Sequence, residues 1–136
     1  MPFVLDASLA LAWHFEDEAS AYADRVLDRL GEDQAVVPSL WALEIANALV
    51  VAERRGRLSA ADVARAADQF LGMPVSIQEE SLQSALGPAL ALARTHKLSA
   101  YDAAYLELAM REGLPIATED GTLRAAAKKV GVPLVE

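Results

Sequence analysis

Residues 98–135, "LSAYDAAYLELAMREGLPIATEDGTLRAAAKKVGVPLV", contain two helix-then-strand units in succession. The pattern predicts a helix over 99–111, a strand over 115–117, a helix over 121–130 and a strand over 133–135. Gly113 and Gly131 stand where each helix should stop, which is the position that favours glycine. Such alternation of helices and short apolar strands predicts a parallel sheet with helices on both faces.

The rest of the chain continues the same alternation. Further strands are predicted over residues 3–5, 35–37 and 74–77, and further helices over 8–30, 40–56, 59–71 and 79–95. Pro38 is expected to end the second strand and Ser39 to cap the helix after it. The sequence has no linker or internal repeat, so residues 1–136 are predicted to form a single α/β domain with four to five strands.

Composition excludes several classes of protein. The chain has no cysteine, which excludes disulfides, thiolate metal sites and cysteine nucleophiles and favours a cytoplasmic location. Twelve Lys and Arg against twenty Asp and Glu give a net charge of −8, which argues against a passive nucleic-acid binder. The longest apolar tract, residues 35–52, contains Pro38 and Glu44, so we do not expect it to cross a membrane.

Acidic residues occur where the predicted sheet would place a ligand. Asp6 directly follows the first strand, and Asp120 lies three residues beyond the strand at 115–117. The carboxyl ends of parallel strands meet at one edge, so these two side chains should lie together. Glu44 and Asn47 form the only polar stripe on a very apolar helix, and Asp102 begins another apolar helix. The four acids and Asn47 are therefore candidates for one polar site.

Two nearly identical pentapeptides present a choice between capping and function. "LSAAD" at 58–62 and "LSAYD" at 98–102 both place a Ser three residues before an Asp, which resembles a capping box. The sequence after Asp62 is amphipathic, whereas the sequence after Asp102 is mostly apolar. Capping alone explains Asp62. Asp102 is expected to begin a deeply packed helix, and a carboxylate in such surroundings indicates a function in addition to capping.

Four neighbouring carboxylates repel one another unless a cation neutralises them. Oxygen ligands without cysteine, and with His14 and His96 too far apart in sequence to suggest a pair, favour Mg²⁺ or Mn²⁺ over Zn²⁺. Mg²⁺ on carboxylates serves mainly phosphoryl transfer or phosphodiester hydrolysis. A bound cation would also let an acidic protein approach a polyanion.

Three stretches together resemble a known family: residues 4–18 ("VLDASLALAWHFEDE"), 37–49 ("VPSLWALEIANAL") and 98–135. They look like the PIN-domain ribonucleases, specifically the VapC-type toxins of prokaryotic toxin–antitoxin systems, over essentially the full length. The resemblance implies a three-layer α/β/α fold and cleavage of RNA with Mg²⁺ or Mn²⁺. It also implies a homodimer and inhibition by a cognate VapB-type antitoxin.

The same resemblance assigns the site residue by residue. The family's acidic quartet falls on Asp6, Glu44, Asp102 and Asp120. Its supporting hydroxyls fall on Ser8 and Thr118, and Asn47 is a further supporting candidate. Glu119 competes with Asp120 for the fourth position, although the pattern Thr-x-Asp-x-x-Leu favours Asp120.

Several alternatives stay open at this point. A catalytically inactive PIN-like interaction module would need no metal. A receiver-like phosphoacceptor also binds Mg²⁺, but it needs an Asp and a Lys at strand ends where this chain has neither. Tyr105 and the other aromatic residues (Trp13, Trp41 and Tyr101) are interpreted as packing residues. The helix over 40–56 is apolar on many sides, which favours a dimer.

Overall fold

A computed structural model describes all residues, 1–136. Its strands are β1 (Phe3–Leu5), β2 (Ala35–Pro38), β3 (Val75–Gln78) and β4 (Ile116–Ala117). Its helices are α1 (Ala7–Ala12), α2 (Ala21–Leu30), α3 (Leu40–Arg54), α4 (Ala60–Leu71), α5 (Leu82–Ser84), α6 (Leu90–His96), α7 (Ala100–Glu112) and α8 (Gly121–Val130). The predicted three-layer α/β/α fold is confirmed.

The strands form one parallel sheet in the order β3-β2-β1-β4. All three residues of β1 are completely buried, because β1 is a central strand with neighbours on both sides. Val4 pairs with Val36 on one side and with Ile116 on the other. The predicted strand at 133–135 is reduced to a single bridge between Leu134 and Ile116. The sheet therefore has four strands, within the predicted range.

The sheet reverses its order at β1. From β1 the chain adds β2 and β3 on one side, and it then returns to place β4 on the other side. A crevice opens at the carboxyl ends of strands where the order reverses in this way, and ligands of open α/β sheets bind there. Asp6 follows β1, and Thr118 follows β4, so both lie at this crevice.

The predicted helical segment over 8–30 is present but interrupted. The chain forms α1, then a 3₁₀ turn (Glu16–Glu18), then α2. Ser20 ends the interruption, since its hydroxyl accepts a hydrogen bond from the Ala23 amide at 2.9 Å and so begins a new helix. The acidic turn is held from outside by Arg57, which pairs with Asp17 and with a second carboxylate of the turn.

The predicted helix over 79–95 is present in modified form. It begins at Leu82, passes through a π-helical turn (Ala85–Ala89) and continues as α6. Pro88 lies inside that turn, and it supplies no amide hydrogen for an ordinary helical bond, which accounts for the local change of pitch.

The helix α3 is less enclosed than its composition indicates. Trp41, Ile45 and Leu49 are buried on one face, but Leu43 on the opposite face is 74% exposed. Ser39 does not cap the helix with its side chain as predicted. Its hydroxyl and its amide both donate to the Glu80 carboxylate, at 2.6 and 3.1 Å, which ties the start of α3 to the loop after β3. No helix of the structure is both long and apolar enough to cross a bilayer.

Candidate active site

Asp6 lies at the carboxyl end of β1, where the strand order reverses, and is held by three hydrogen bonds. It caps α1, with Oδ1 accepting from the Ser8 amide at 3.2 Å. Its Oδ2 accepts from the Ser8 hydroxyl at 2.9 Å and from the Thr118 hydroxyl at 2.7 Å. Only 6% of Asp6 is exposed, so these donors hold the carboxylate in one orientation at the end of β1.

Thr118 joins the ends of β1 and β4. Its buried hydroxyl donates to Asp6 and accepts from the Asp120 amide at 3.1 Å. Asp120 in turn caps α8, with Oδ1 accepting from the Leu123 amide at 2.9 Å. Arg124 donates to the carbonyl of Thr118 at 2.7 Å, which closes the turn. The loop between β4 and α8 is thereby fixed with Asp120 at the crevice.

The two twin pentapeptides form different caps. In α4 the Ser59 hydroxyl accepts from the Asp62 amide while the Asp62 carboxylate accepts from the Ser59 amide, both at 3.0 Å, so the box is complete. In α7 only the Ser99 half is present, and the Asp102 carboxylate does not cap its own helix in return. The Asp102 side chain is free to face the crevice.

The pKa values of Asp62 and Asp102 are shifted in opposite directions. The hydrogen bond that the Ser59 amide donates lowers the pKa of Asp62, as expected of a carboxylate engaged in a cap. Burial raises the pKa of Asp102, and the negative charges of Asp6 and Asp120 raise it further. Asp102 therefore lies among other acids, and Asp62 does not.

Glu44 is positioned by a tyrosine that the sequence did not identify as functional. The hydroxyl of Tyr105 donates to Oε1 of Glu44 at 2.5 Å and accepts from the Ala7 amide at 3.4 Å. Tyr105 is fully buried, and burial together with the neighbouring Glu44 raises its pKa, so the phenol remains a donor. The interpretation of Tyr105 as a packing residue is thus incomplete, since its ring packs in the core and its hydroxyl reaches the site.

Glu44 belongs to the same group of charges. Burial raises the pKa of Glu44, the hydrogen bond from Tyr105 opposes this shift, and the charges of Asp6 and Asp102 add to it. Two carboxylates with raised pKa values beside a third buried carboxylate form a site with a deficit of positive charge.

Two of the candidate side chains, those of Asn47 and Glu119, take no part in the hydrogen bonds of the four acids. Asn47 is exposed on α3, and the hydrogen bonds of the four acids do not include it, so the prediction of a shared buried stripe with Glu44 is wrong. Its premise fails because α3 is buried on one face only. Glu119 turns outward and accepts from the Ser20 hydroxyl at 3.1 Å, which leaves Asp120 as the acid beside Asp102.

Comparison with known proteins identifies the family of the chain. The sequence model of one protein family, described as "PIN domain", matches residues 3–129 of this chain. The chain belongs to the PIN domain family. Ribonuclease VapC3 from Pyrobaculum aerophilum is 32% identical over 123 residues, which are 90% of this chain and 92% of VapC3. The predicted resemblance to the VapC-type members is confirmed.

Solved structures share the PIN fold. The crystal structure of PAE2754 from Pyrobaculum aerophilum has a TM-score of 0.69 at 27% identity, covering 93% of this chain and 79% of that chain. A toxin–antitoxin complex from Klebsiella pneumoniae has a TM-score of 0.61 at 18% identity, covering 87% of this chain and 86% of that chain. The second likeness shows a common fold.

The donors of this PIN domain fit a hydrated divalent cation better than a dehydrated one. No three carboxylates lie close enough together to enclose one ion. Glu44 is held by Tyr105, and Asp6 is held by Ser8 and Thr118, so each carboxylate has its own support. Mg²⁺ usually keeps several waters and binds through one or two carboxylates, which suits spaced all-oxygen ligands of this kind.

Proposed function

We propose that this PIN domain is a VapC-type endoribonuclease toxin that depends on Mg²⁺, with Mn²⁺ as a substitute. The observation that carries the proposal is the electrostatic link among the four acids at the crevice. Burial raises the pKa values of Glu44 and Asp102, the charge of Asp6 adds to both shifts, and the charge of Asp120 adds to the shift of Asp102. A cation there removes the repulsion among the acids, which gives the protein a strong preference for the metal-bound form. The likeness to ribonuclease VapC3 supports RNA as the substrate.

The residues of the chain have distinct tasks in this proposal. Asp6 offers a carboxylate of fixed orientation, and Thr118 keeps it in register with Asp120. Asp102 and Glu44 would bind the cation from the two helices that flank the crevice. When bound, the divalent ion supplies Lewis acidity that activates a water and neutralises phosphate oxygens. Attack by water does not need the 2′-hydroxyl, so the products should carry 3′-hydroxyl and 5′-phosphate ends.

The twin pentapeptides supply a matched test. Asp102→Asn should abolish Mg²⁺-dependent cleavage of RNA, because it removes a charge from the crevice. Asp62→Asn makes the same chemical change in the same local sequence but outside the site, so its cleavage rate should equal that of the unaltered protein. Cleavage is measured on labelled RNA, with thermal unfolding of both variants as a control for folding.

Two results would contradict the proposal. One is full cleavage by the Asp102→Asn variant, and the other is full cleavage by the unaltered protein in excess EDTA. If neither result is seen, sequencing the RNA ends after expression of the protein, with the Asp6→Asn variant as a control, identifies the RNA that is cut.

A cognate VapB-type antitoxin and a homodimer form part of the same proposal. The antitoxin would inhibit by covering the crevice, so co-expression should suppress cleavage and slow amide exchange around Asp6. The dimer is supported by Leu43 and Val50, which are large apolar side chains exposed on α3. Leu43→Asp should lower the mass measured by analytical ultracentrifugation, and an unchanged mass would remove this surface from consideration.

A further inference from the structure

A cleft of about 660 Å³ opens beside the crevice, between the end of α6 and the start of α8. Asp120 lies on its wall and is the only acid there. The other polar side chains of the wall are Thr95, His96, Lys97, Thr122 and Lys129. In a chain with a net charge of −8, this cleft is therefore a locally cationic surface that reaches a proposed catalytic acid.

The two cations of the cleft are free to bind a ligand. Lys97 and Lys129 are two of the three lysines of the chain, and neither forms an ion pair or a side-chain hydrogen bond. Several arginines, in contrast, are already occupied, as Arg57 is with Asp17 and Arg111 is with Glu107. An unpaired ammonium group in an acidic protein is a binding group for an anion that comes from outside.

The backbone of Lys97 gives an independent reason to assign its side chain a role. Lys97 ends α6 in the left-handed conformation, with φ of 56° and ψ of 39°. The helices α7 and α8 end in the same conformation, but there the residue is glycine, Gly113 and Gly131. A residue with a Cβ adopts this conformation at a cost that exceeds the usual gain from a cation at an exposed helix end. The chain therefore keeps a lysine where glycine would be more stable.

We propose that the Lys97–Lys129 cleft binds backbone phosphates of the RNA strand next to the bond that is cut. This inference rests on the proposed ribonuclease function and adds the substrate-binding surface to it. Lysine binds phosphate as a point charge without reading the base, so the cleft would position the strand on any sequence. Its opening at Asp120 places the bound phosphates beside the acids of the crevice.

The test uses the dependence of cleavage on salt. Each phosphate contact with a single strand adds about 0.7 to the slope of log affinity against log salt concentration. Lys97→Gly and Lys129→Gln should each reduce the slope of kcat/KM by about 0.7 and lower kcat/KM about fivefold at 0.1 M salt. The loss should appear in KM, with kcat unchanged. The substrate is a mixed-sequence, fluorescently labelled single-stranded RNA in Mg²⁺.

Two controls come from the chain itself. Lys128 neighbours Lys129 on α8 but does not line the cleft, so Lys128→Gln should keep the slope of the unaltered protein. Lys97→Gly should unfold at the same or a higher temperature than the unaltered protein, because it relieves the left-handed strain. A loss of RNA binding in a protein that is at least as stable cannot be attributed to misfolding.

Three outcomes would overturn the inference. Unchanged salt slopes in the Lys97→Gly and Lys129→Gln variants would show that the cleft does not contact phosphate. An equal reduction in Lys128→Gln would show a diffuse effect of net charge. Normal RNA cleavage with weakened binding of an acidic antitoxin segment would assign the cleft to the antitoxin. If the unaltered protein does not cleave RNA at all, the proposed function itself fails, which is a distinct result.

Discussion

Replacement of Tyr105 by Phe tests whether the site depends on a hydroxyl within the core. The change leaves the buried ring in place and removes two hydrogen bonds, one to Glu44 at 2.5 Å and one from the Ala7 amide at 3.4 Å. A hydrogen bond to a charged group contributes about 1.5–3 kcal/mol, and a weakly bonded amide adds about 1 kcal/mol when it loses its partner. Glu44 is only half-buried, which favours the lower end of the first range.

The expected loss in the free energy of unfolding is therefore about 2–3 kcal/mol. For a domain of this size, this loss corresponds to a decrease in Tm of roughly 6–12 °C. Cleavage should also decrease, because the Glu44 carboxylate loses the group that orients it.

A double-mutant cycle isolates the bond from the other effects of the change. Urea unfolding is measured at neutral pH for Tyr105→Phe, Glu44→Ala and the double variant. The loss at the Ala7 amide occurs in both backgrounds and cancels, which leaves a coupling energy of about 1.5 kcal/mol or more between Tyr105 and Glu44. Single changes that add within about 0.5 kcal/mol would refute the assignment of Tyr105 to the site.

Further outcomes follow from the same geometry. Asp120→Asn should lower cleavage and metal affinity about 10- to 100-fold, whereas Glu119→Gln, whose carboxylate turns outward, should leave both unchanged in metal titrations. Equal losses in the two variants would reassign the fourth acid. Thr118→Val keeps the shape of a fully buried side chain but leaves the Asp120 amide and the Asp6 carboxylate without this partner. The free energy of unfolding should therefore decrease by about 1–3 kcal/mol. In EDTA, stability should decrease as the pH rises, because the folded-state pKa values of Glu44 and Asp102 lie above their ordinary values of 4.5 and 3.8. The stabilising protonated forms are complete below those ordinary values and are lost as the pH passes the raised ones. Thermal scans at a series of pH values measure this decrease in Tm. The decrease should be smaller in the Asp102→Asn variant, and added Mg²⁺ should abolish it. A Tm of the metal-free protein that rises over the same pH interval would contradict the raised pKa values.

Local sequence was sufficient to predict the elements that carry the acids. The strand at 3–5 and the helices that begin at Ser59 and Ser99 all follow from apolar runs and from caps within a few residues. The different surroundings of Asp62 and Asp102 also follow, because the burial of a helix can be predicted from the residues after its cap. These inferences need no information about distant parts of the chain.

The contacts that orient the site could not be predicted in the same way. Tyr105 reaches Glu44 across 61 residues of sequence, and no local pattern distinguishes its hydroxyl from that of a packing tyrosine. The exposure of Asn47 could not be predicted, because the composition of an apolar helix does not reveal which of its faces is left exposed. The interruption between α1 and α2 could not be predicted, because the residues on both sides of the Ser20 cap have a helical pattern.

The Thr118–Asp6 bond spans 112 residues, and this span has a consequence for the order in which the protein is made. Asp6 leaves the ribosome 112 residues before Thr118, which directly follows β4, the neighbour of β1 in the sheet. Until β4 pairs with β1, the crevice has one wall, and neither Thr118 nor Asp120 is present to complete it. A nascent or truncated chain that ends before residue 115 thus carries three of the four acids, Asp6, Glu44 and Asp102, without the active arrangement. On the proposed function, the cell that synthesises this nuclease is exposed to its activity only after translation of the whole domain, when an inhibitor has had the full synthesis time to accumulate.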